Sequence, residues 1–248
     1  MTALRTLLFY LGYLGLVLWF SVTALLLLSL APYRWRYGYL MWWNRAVLGW
    51  LRLSCGIRYR VSGREQLPEG ACVLLAKHQS PWETFYLQLL KTPSVPVLKR
   101  ELLRIPGFGW TIRQIHPIAI DRGNPRQALR QIRQQGLDRL GRGCSVYLFP
   151  EGTRIPYGQR GNYARSGAQL AIDAGVPVVA VAHNAGKYWP ARRFLKYPGT
   201  IDVALSPPLA TAGRDSRSLI AEVEEWIESR IESWERPSQT EPSSTDHR

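Results

Sequence analysis

The segment LLAKHQSPWETFYLQLL, residues 74–90, brings a histidine and a carboxylate together where an apolar run ends. His78 follows a predicted strand, and open α/β sheets have their ligand sites at the carboxyl ends of strands. Glu83, in the first turn of the next predicted helix, can orient the imidazole through one ring nitrogen and leave the other to remove a proton. A second interpretation needs no chemistry, because Ser80, Pro81 and Glu83 also form a helix-start signature. It explains Glu83 but leaves His78 unexplained.

Three cations follow predicted strands further along the chain. Arg154 closes the run LFPEGTR, residues 148–154, in which Gly152 permits a close backbone approach and the arginine offers a planar fork suited to a phosphate. Lys99 and Arg122 each come directly after another predicted strand. Because the carboxyl ends of parallel strands share one edge of a sheet, the three cations can converge on an anion. A cation taken alone is more often a solvated surface charge, and Pro-Glu-Gly-Thr is an ordinary turn composition.

An alternation of short apolar runs and longer helical patterns supplies the elements that must position these residues. It predicts strands at Cys72–Ala76, Val95–Leu98, Ile115–Ile120, Ser145–Phe149, Val176–Ala182 and Ile201–Leu205. It predicts helices at Trp82–Leu90, Pro125–Leu140, Tyr163–Ala174 and Ser216–Trp234. This order is typical of a single α/β domain with a largely parallel sheet.

The first 60 residues of the chain predict a membrane anchor. The net charge of +14 indicates an anionic partner, either nucleic acid or an anionic lipid surface. The apolar run Leu7–Leu30 is long enough to span a bilayer with some tilt, since as a helix it covers roughly 36 Å. It is too long for the apolar part of a cleaved signal peptide. Residues 37–53 then predict an amphipathic helix rich in Trp and Arg, which suits the headgroups of anionic lipids or packing on the domain.

Charge around the apolar run predicts its orientation. Only Arg5 precedes the run, whereas six arginines follow it by residue 60 and no acidic residue occurs before Glu65. The positive-inside rule therefore predicts a cytoplasmic catalytic domain, and nucleic acid becomes the weaker partner. We divide the chain into residues 1–60 as anchor and interfacial helix, 61–235 as the catalytic domain, and 236–248 as a disordered tail.

Four ordered blocks over about residues 70–185 resemble the glycerolipid acyltransferases, specifically the bacterial 1-acyl-sn-glycerol-3-phosphate (lysophosphatidic acid) acyltransferases. The family's His-x4-Asp block is met by His78 and, with glutamate in place of aspartate, by Glu83. The third block, Phe-Pro-Glu-Gly-Thr-Arg, matches throughout residues 149–154, and the fourth matches residues 176–181 except at Ala180. The second block is met by Lys99, Leu102, Pro106, Gly109, Ile120 and Arg122.

The resemblance implies a membrane-bound α/β acyltransferase of the bacterial inner membrane. It would transfer a fatty acyl group from acyl-CoA or acyl carrier protein to the 2-hydroxyl of lysophosphatidic acid, giving phosphatidic acid in phospholipid biosynthesis. His78 would act as general base and Glu83 would hold its tautomer. Glu151 would bind a glycerol hydroxyl or orient Arg154. The implied substrate-binding set comprises Lys99, Arg122, Glu151, Gly152, Thr153 and Arg154.

Two other functions fit the same pattern. One is acylation of a different lysolipid, such as lyso-ornithine lipid, and the other is lipid binding by a non-catalytic anchored protein. We expect no cofactor beyond the thioester co-substrate, because a thioester is already activated. We also expect no metal, since neither a His-Glu-x-x-His pattern nor a paired-Cys pattern occurs. His183 remains a candidate for lining the site.

Overall fold

The computed structural model describes residues 1–28 and 30–235, so the predicted disordered tail, residues 236–248, lies outside the described residues. The chain begins with two long helices and continues as alternating strands and helices. The strands are β1 (Ile57–Ser62), β2 (Val73–Ala76), β3 (Ser94–Lys99), β4 (Ile118–Ile120), β5 (Ser145–Leu148), β6 (Val178–His183) and β7 (Gly199–Leu205). The helices are α1 (Thr2–Leu27), α2 (Tyr33–Cys55), α3 (Trp82–Leu90), α4 (Phe108–Arg113), α5 (Pro125–Gly141), α6 (Ser166–Ala174), α7 (Ala185–Tyr188) and α8 (Ser216–Glu235).

The seven strands form one largely parallel sheet, as the sequence predicts. Their order is β1-β7-β6-β2-β5-β3-β4, and β6 and β7 are the antiparallel neighbours. Strands β2, β5 and β3 lie side by side and run in the same direction, so their carboxyl ends meet at one edge of the sheet. The residues that follow these three strands include His78 and the 149–154 run. The topology therefore brings together two motifs that are far apart in the sequence.

Alternate side chains along the strands pack in two buried layers, one on each face of the sheet. On one face, Val73 and Leu75 of β2 pack in a cluster with residues of α5, α6 and α8. On the other face, Leu74 and Ala76 pack with residues of α1, α2 and α3. Strand β2 is buried on both faces, which explains why its sequence is apolar throughout rather than alternating.

Strand β1 is an element that the sequence patterns did not predict. It reads IRYRVS, with only Ile57 fully buried, and pairs in parallel with β7, about 140 residues further along the chain. The predicted division between anchor and catalytic domain at residue 60 falls within this strand, and that division remains a prediction.

The N-terminal helices form a pair that packs along the α/β domain. Helix α1 is the one described helix that is long and apolar enough to cross a membrane. Its inward residues, among them Phe9 and Ala24, are buried against the protein. Its outward residues are exposed, namely Leu7, Leu11, Leu14, Leu18, Val22 and Leu25. Because these residues recur every three or four positions, they form one continuous apolar face, called here the outward face of α1.

Candidate active site

His78 lies just beyond the carboxyl end of β2, where the sequence predicts a ligand site. Its Nδ1 is 2.8 Å from Glu83 Oε1, and its ring stacks on Phe149, with centroids 3.9 Å apart and planes 12° from parallel. With Nδ1–H donating to the carboxylate, the neutral imidazole carries its free lone pair on Nε2. His78 also lines a cavity of about 530 Å³. The geometry is that of an oriented general base.

Glu83 makes the contacts expected of both interpretations, because it bonds to the His78 ring and also caps the start of α3. Besides His78, its Oε1 accepts the backbone N–H groups of Gln79 at 3.1 Å and Ser80 at 2.9 Å. These bonds cap the start of α3, which begins at Trp82, one residue later than the helix-start signature predicts. Burial alone would raise the pKa of Glu83, but the hydrogen bond from His78, the favourable electrostatic interaction with the two nearby histidine rings and the Ser80 N–H outweigh it and lower the pKa. The side chain is thus held as a carboxylate.

His183, at the end of β6, lies next to the His78–Glu83 pair and bonds to the backbone that precedes His78. Its Nε2 donates to the Lys77 carbonyl at 2.8 Å and lies 3.9 Å from Glu83 Oε2. Burial lowers the pKa of His183, which keeps the ring neutral. His183 therefore supports the backbone beside His78.

The predicted phosphate ligands surround the same cavity. Lys99, Arg122, Gly152, Thr153 and Arg154 all line it, together with His78. Arg122 Nη1 donates to the Gly152 carbonyl at 2.6 Å, which ties the end of β4 to the 149–154 run. Gly152 adopts a φ of 67°, a left-handed conformation that favours glycine. The structure therefore brings five of the six predicted substrate-binding residues to one wall.

Glu151 is the exception, because protein groups occupy both of its carboxylate oxygens. Oε1 accepts from Lys77 Nζ at 2.8 Å, and Oε2 accepts from the backbone N–H of His78 at 2.9 Å. Its side chain is fully buried. This arrangement differs from both roles that the sequence predicts for it, binding a glycerol hydroxyl and orienting Arg154. Burial raises the pKa of Glu151, against the opposing effect of Lys77.

The rest of the cavity is mainly apolar, and the N-terminal helices contribute part of its lining. Its volume is about 530 Å³, and α1, α2 and α3 contribute Tyr13, Val17, Phe20, Leu40, Trp43 and Phe85. A polar pair interrupts this lining where Asn44 Nδ2 donates to Gln88 Oε1 at 3.1 Å. The cavity thus has cations and a histidine on one wall and apolar side chains on the others, which fits an amphipathic ligand.

Sequence patterns missed one functional candidate, Lys77. This lysine directly precedes His78 and is completely buried, with Nζ bonded to Glu151 and Glu228. A charged residue at the end of a strand buried on both faces is the signal that could have revealed it, because a buried lysine requires charged partners.

Comparisons with known proteins agree with this geometry. The family model described as Acyltransferase matches residues 58–184. A 1-acyl-sn-glycerol-3-phosphate acyltransferase from Pseudomonas aeruginosa is 45% identical over 233 residues, which cover 94% of this chain and 89% of that protein. The alpha form of that enzyme from Mus musculus is 30% identical over 64% of this chain and 57% of its own length. The crystal structure of the 1-acyl-sn-glycerophosphate (LPA) acyltransferase PlsC from Thermotoga maritima has the same fold, with a TM-score of 0.73, 24% identity, and coverage of 96% of this chain and 98% of that one.

Proposed function

The chain belongs to the acyltransferase family, and we propose that it acylates the 2-hydroxyl of 1-acyl-sn-glycerol-3-phosphate to make phosphatidic acid in phospholipid biosynthesis. One observation carries the proposal. The His78–Glu83 pair, 2.8 Å apart, lines a cavity with cations at one wall and apolar side chains around the remainder. Lysophosphatidic acid has the same division, with a phosphate at one end and an acyl chain at the other.

The reaction needs a base because an alcohol is a weak nucleophile at neutral pH. In the proposed mechanism, His78 Nε2 removes the proton of the 2-hydroxyl as its oxygen attacks the carbonyl carbon of the thioester. The imidazolium that forms is stabilised by the Glu83 carboxylate on Nδ1. When the tetrahedral intermediate collapses, the carbon–sulfur bond breaks and the leaving thiolate recovers the proton from His78. No covalent acyl-enzyme is required.

The cations of the cavity wall are proposed to bind the acceptor phosphate. Arg122 and Arg154 offer planar forks that match phosphate oxygens, and Lys99 adds a point charge. Gly152 and Thr153 lie between them on the same wall. Lys99 already lies 3.7 Å from Glu101, but both side chains are about half exposed, so this pair is weak and a phosphate can displace it.

The acyl donor is proposed to be a thioester, either acyl-CoA or acyl carrier protein, used as a co-substrate without a further cofactor. The apolar part of the cavity supports this proposal because it offers a place for a fatty acyl chain beside His78.

We place the catalytic domain on the cytoplasmic side of the bacterial inner membrane, with α1 and α2 in contact with anionic lipids. The arginines that follow the apolar run support the contact with anionic lipids. Protein contacts of α1 extend from Thr6, which accepts from the Lys196 N–H at 3.1 Å, to Ser21, which lies against Gly107. These contacts cover about 22 Å of helix, most of a hydrocarbon core. They favour a helix that lies along one leaflet with its outward face in the acyl chains, rather than one that spans the bilayer.

The acceptor is identified by offering lysophosphatidic acid and lyso-ornithine lipid side by side to the purified full-length protein. Each acceptor is tested with labelled acyl-CoA and with acyl carrier protein. We expect phosphatidic acid from lysophosphatidic acid with at least one donor. Product from lyso-ornithine lipid alone would be consistent with the proposed acyl transfer but would refute lysophosphatidic acid as the acceptor. If no donor–acceptor pair gives product, the result would favour the lipid-binding function.

A further inference from the structure

A buried ionic cluster lies behind the active-site wall. Lys77 is completely buried, and its ammonium group has three acceptors for its three N–H bonds. These are Glu151 Oε1 at 2.8 Å, Glu228 Oε1 at 2.7 Å and the Gln159 carbonyl at 3.1 Å. Every donor of the lysine is therefore used, and its side chain is fixed from three directions.

Glu151 connects this cluster to the backbone of the base. Its second carboxylate oxygen accepts the His78 N–H at 2.9 Å, while the His78 carbonyl accepts the Ile155 N–H at 2.8 Å. Because Phe149 stacks on the imidazole, residues 149–155 hold His78 at its amide, its carbonyl and its ring. The orientation that Glu83 gives the ring is useful only if this backbone stays in place.

Glu228 brings the last helix into the arrangement. It lies on α8 and is 7% exposed, and its Oε1 accepts from the Tyr163 hydroxyl at 2.7 Å as well as from Lys77. The lysine and this glutamate are 151 residues apart. The chain of contacts runs from α8 through Glu228, Lys77 and Glu151 to the amide of His78.

Stability alone is a poor reason for such a cluster. A buried ion pair gains little net free energy, because removing its charges from water costs several kcal/mol per ion. Here two carboxylates share one lysine, so one negative charge of the cluster is uncompensated by Lys77. Burial raises the pKa of Glu151 accordingly, and Glu228 adds to the effect. The cluster instead provides a fixed geometry, because three directed hydrogen bonds converge on Lys77 Nζ.

We propose that Lys77, Glu151 and Glu228 are positioning residues that hold the backbone of His78, so that helix α8 sets the place of the general base. The activity measurement for this inference rests on the proposed function. None of Lys77, Glu151 and Glu228 lines the cavity, so the cluster is expected to act through the backbone of His78 rather than by contact with substrate.

The test compares two glutamates one helical turn apart on α8. Glu228→Ala removes an acceptor of Lys77, whereas Glu224→Ala removes only the exposed ion pair with Arg160, whose Nε lies 2.9 Å from Glu224. We expect kcat of Glu228→Ala to fall at least about tenfold, since small displacements of a catalytic group are costly. The KM values for donor and acceptor, and all parameters of Glu224→Ala, should change by less than about twofold. Glu228→Gln, which keeps the acceptor oxygen, should restore most of kcat.

Three results would overturn the proposal: a wild-type kcat in Glu228→Ala, an equal loss in Glu224→Ala, or no rescue by Glu228→Gln. If Glu228→Ala does not fold, Tyr163→Phe replaces it, because it removes only one donor to Glu228. That variant should lose about threefold in kcat with unchanged KM, and a wild-type kcat would equally refute the proposal.

A measurement without substrate separates this inference from the proposed function. In a nitrogen-15 NMR spectrum of the histidine rings, the His78 signal is identified by its absence in His78→Ala. It should shift in Glu228→Ala and stay in place in Glu224→Ala. If the wild type acylates neither acceptor, the proposed function is refuted. The shift of the His78 signal in Glu228→Ala would still test the positioning role of the cluster. An unmoved His78 signal in Glu228→Ala would refute the positioning role, whatever the activity.

Discussion

At the scale of single residues, Glu83 shows how one side chain can serve the fold and the chemistry together. One of its oxygens caps the start of α3 through the Ser80 N–H and also accepts from His78 Nδ1. The sequence offered these as alternatives, and the structure shows both. That His78, Glu83 and the cations lie close together could be predicted, because each belongs to a recognisable motif that follows a strand. The contact of Glu151 with Lys77 could not, because the lysine is 74 residues away and carries no motif of its own.

The lowered pKa of Glu83 predicts a pH dependence of stability. A carboxylate whose pKa is lower in the folded than in the unfolded protein adds stability above its ordinary pKa, 4.5, and loses that contribution as the pH falls through the folded value. The difference in unfolding free energy between wild type and Glu83→Gln should therefore narrow as the pH drops below about 4.5. Chemical denaturation of both proteins at several pH values measures this difference in unfolding free energy. A difference that widens as the pH falls would contradict a lowered pKa of Glu83.

Arg154 is expected to contribute mainly to acceptor binding. It is exposed, lines the cavity and offers its guanidinium to a phosphate. Because a charge-assisted bond to an anion contributes about 1.5–3 kcal/mol, Arg154→Ala should raise the acceptor KM at least about tenfold with little change in kcat.

Arg126→Ala, at an exposed position on α5, is the matched control for the loss of one positive charge. It should leave the acceptor KM unchanged. Steady-state kinetics with varied acceptor concentration decide the matter. An unaltered acceptor KM in Arg154→Ala would remove this arginine from the phosphate site, and an equal rise in Arg126→Ala would indicate a general effect of net charge.

At the scale of elements, the sequence predicted the helices that have a periodic hydrophobic pattern and local capping residues. Helix α3 matches its predicted bounds, and α5 and α8 each end one residue beyond theirs. Strand β1 was missed although arginines alternate with its apolar residues, a pattern that indicates a half-exposed strand. Its pairing could not be predicted, because its partner β7 lies far along the chain and outside any local window.

The outward face of α1 is predicted to bind the membrane. Burial of a leucine in lipid is worth about 1.5–3 kcal/mol, so Leu11→Glu combined with Leu18→Glu should lower binding to anionic vesicles at least about tenfold. Leu129→Glu is the control, because Leu129 is a similarly exposed leucine, 55% accessible, on α5. Cosedimentation of the purified variants with vesicles measures the binding. Unchanged binding of the double variant would exclude this face.

Labelling of introduced cysteines tests whether α1 lies along one leaflet. The native cysteines are buried, so Thr2→Cys and Gln127→Cys provide the accessible thiols at the start of α1 and on the catalytic domain. With α1 along one leaflet, an impermeant maleimide should label both from the same side of sealed membrane vesicles. Labelling from opposite sides would establish a helix that spans the bilayer instead.

At the scale of the whole molecule, the fold places His78, the cations of the cavity and an apolar lining at one edge of a parallel sheet. The strand ends supply the first two, and the N-terminal helices share the third with α3, α4 and the strands. The sequence predicted the layers and the apolar N-terminal helix because both follow from hydrophobic patterning. It could not predict that α1 and α2 line the cavity, or that α8 reaches the base, since both depend on packing between distant segments.

The most direct test of the central claim is acyl transfer to lysophosphatidic acid by purified wild type, His78→Ala and Glu83→Gln in one assay. The account predicts phosphatidic acid from the wild type, none above background from folded His78→Ala, and a trace from Glu83→Gln, because the glutamine still occupies the place of the orienting group. Full activity in His78→Ala would contradict the assignment of His78 as the general base.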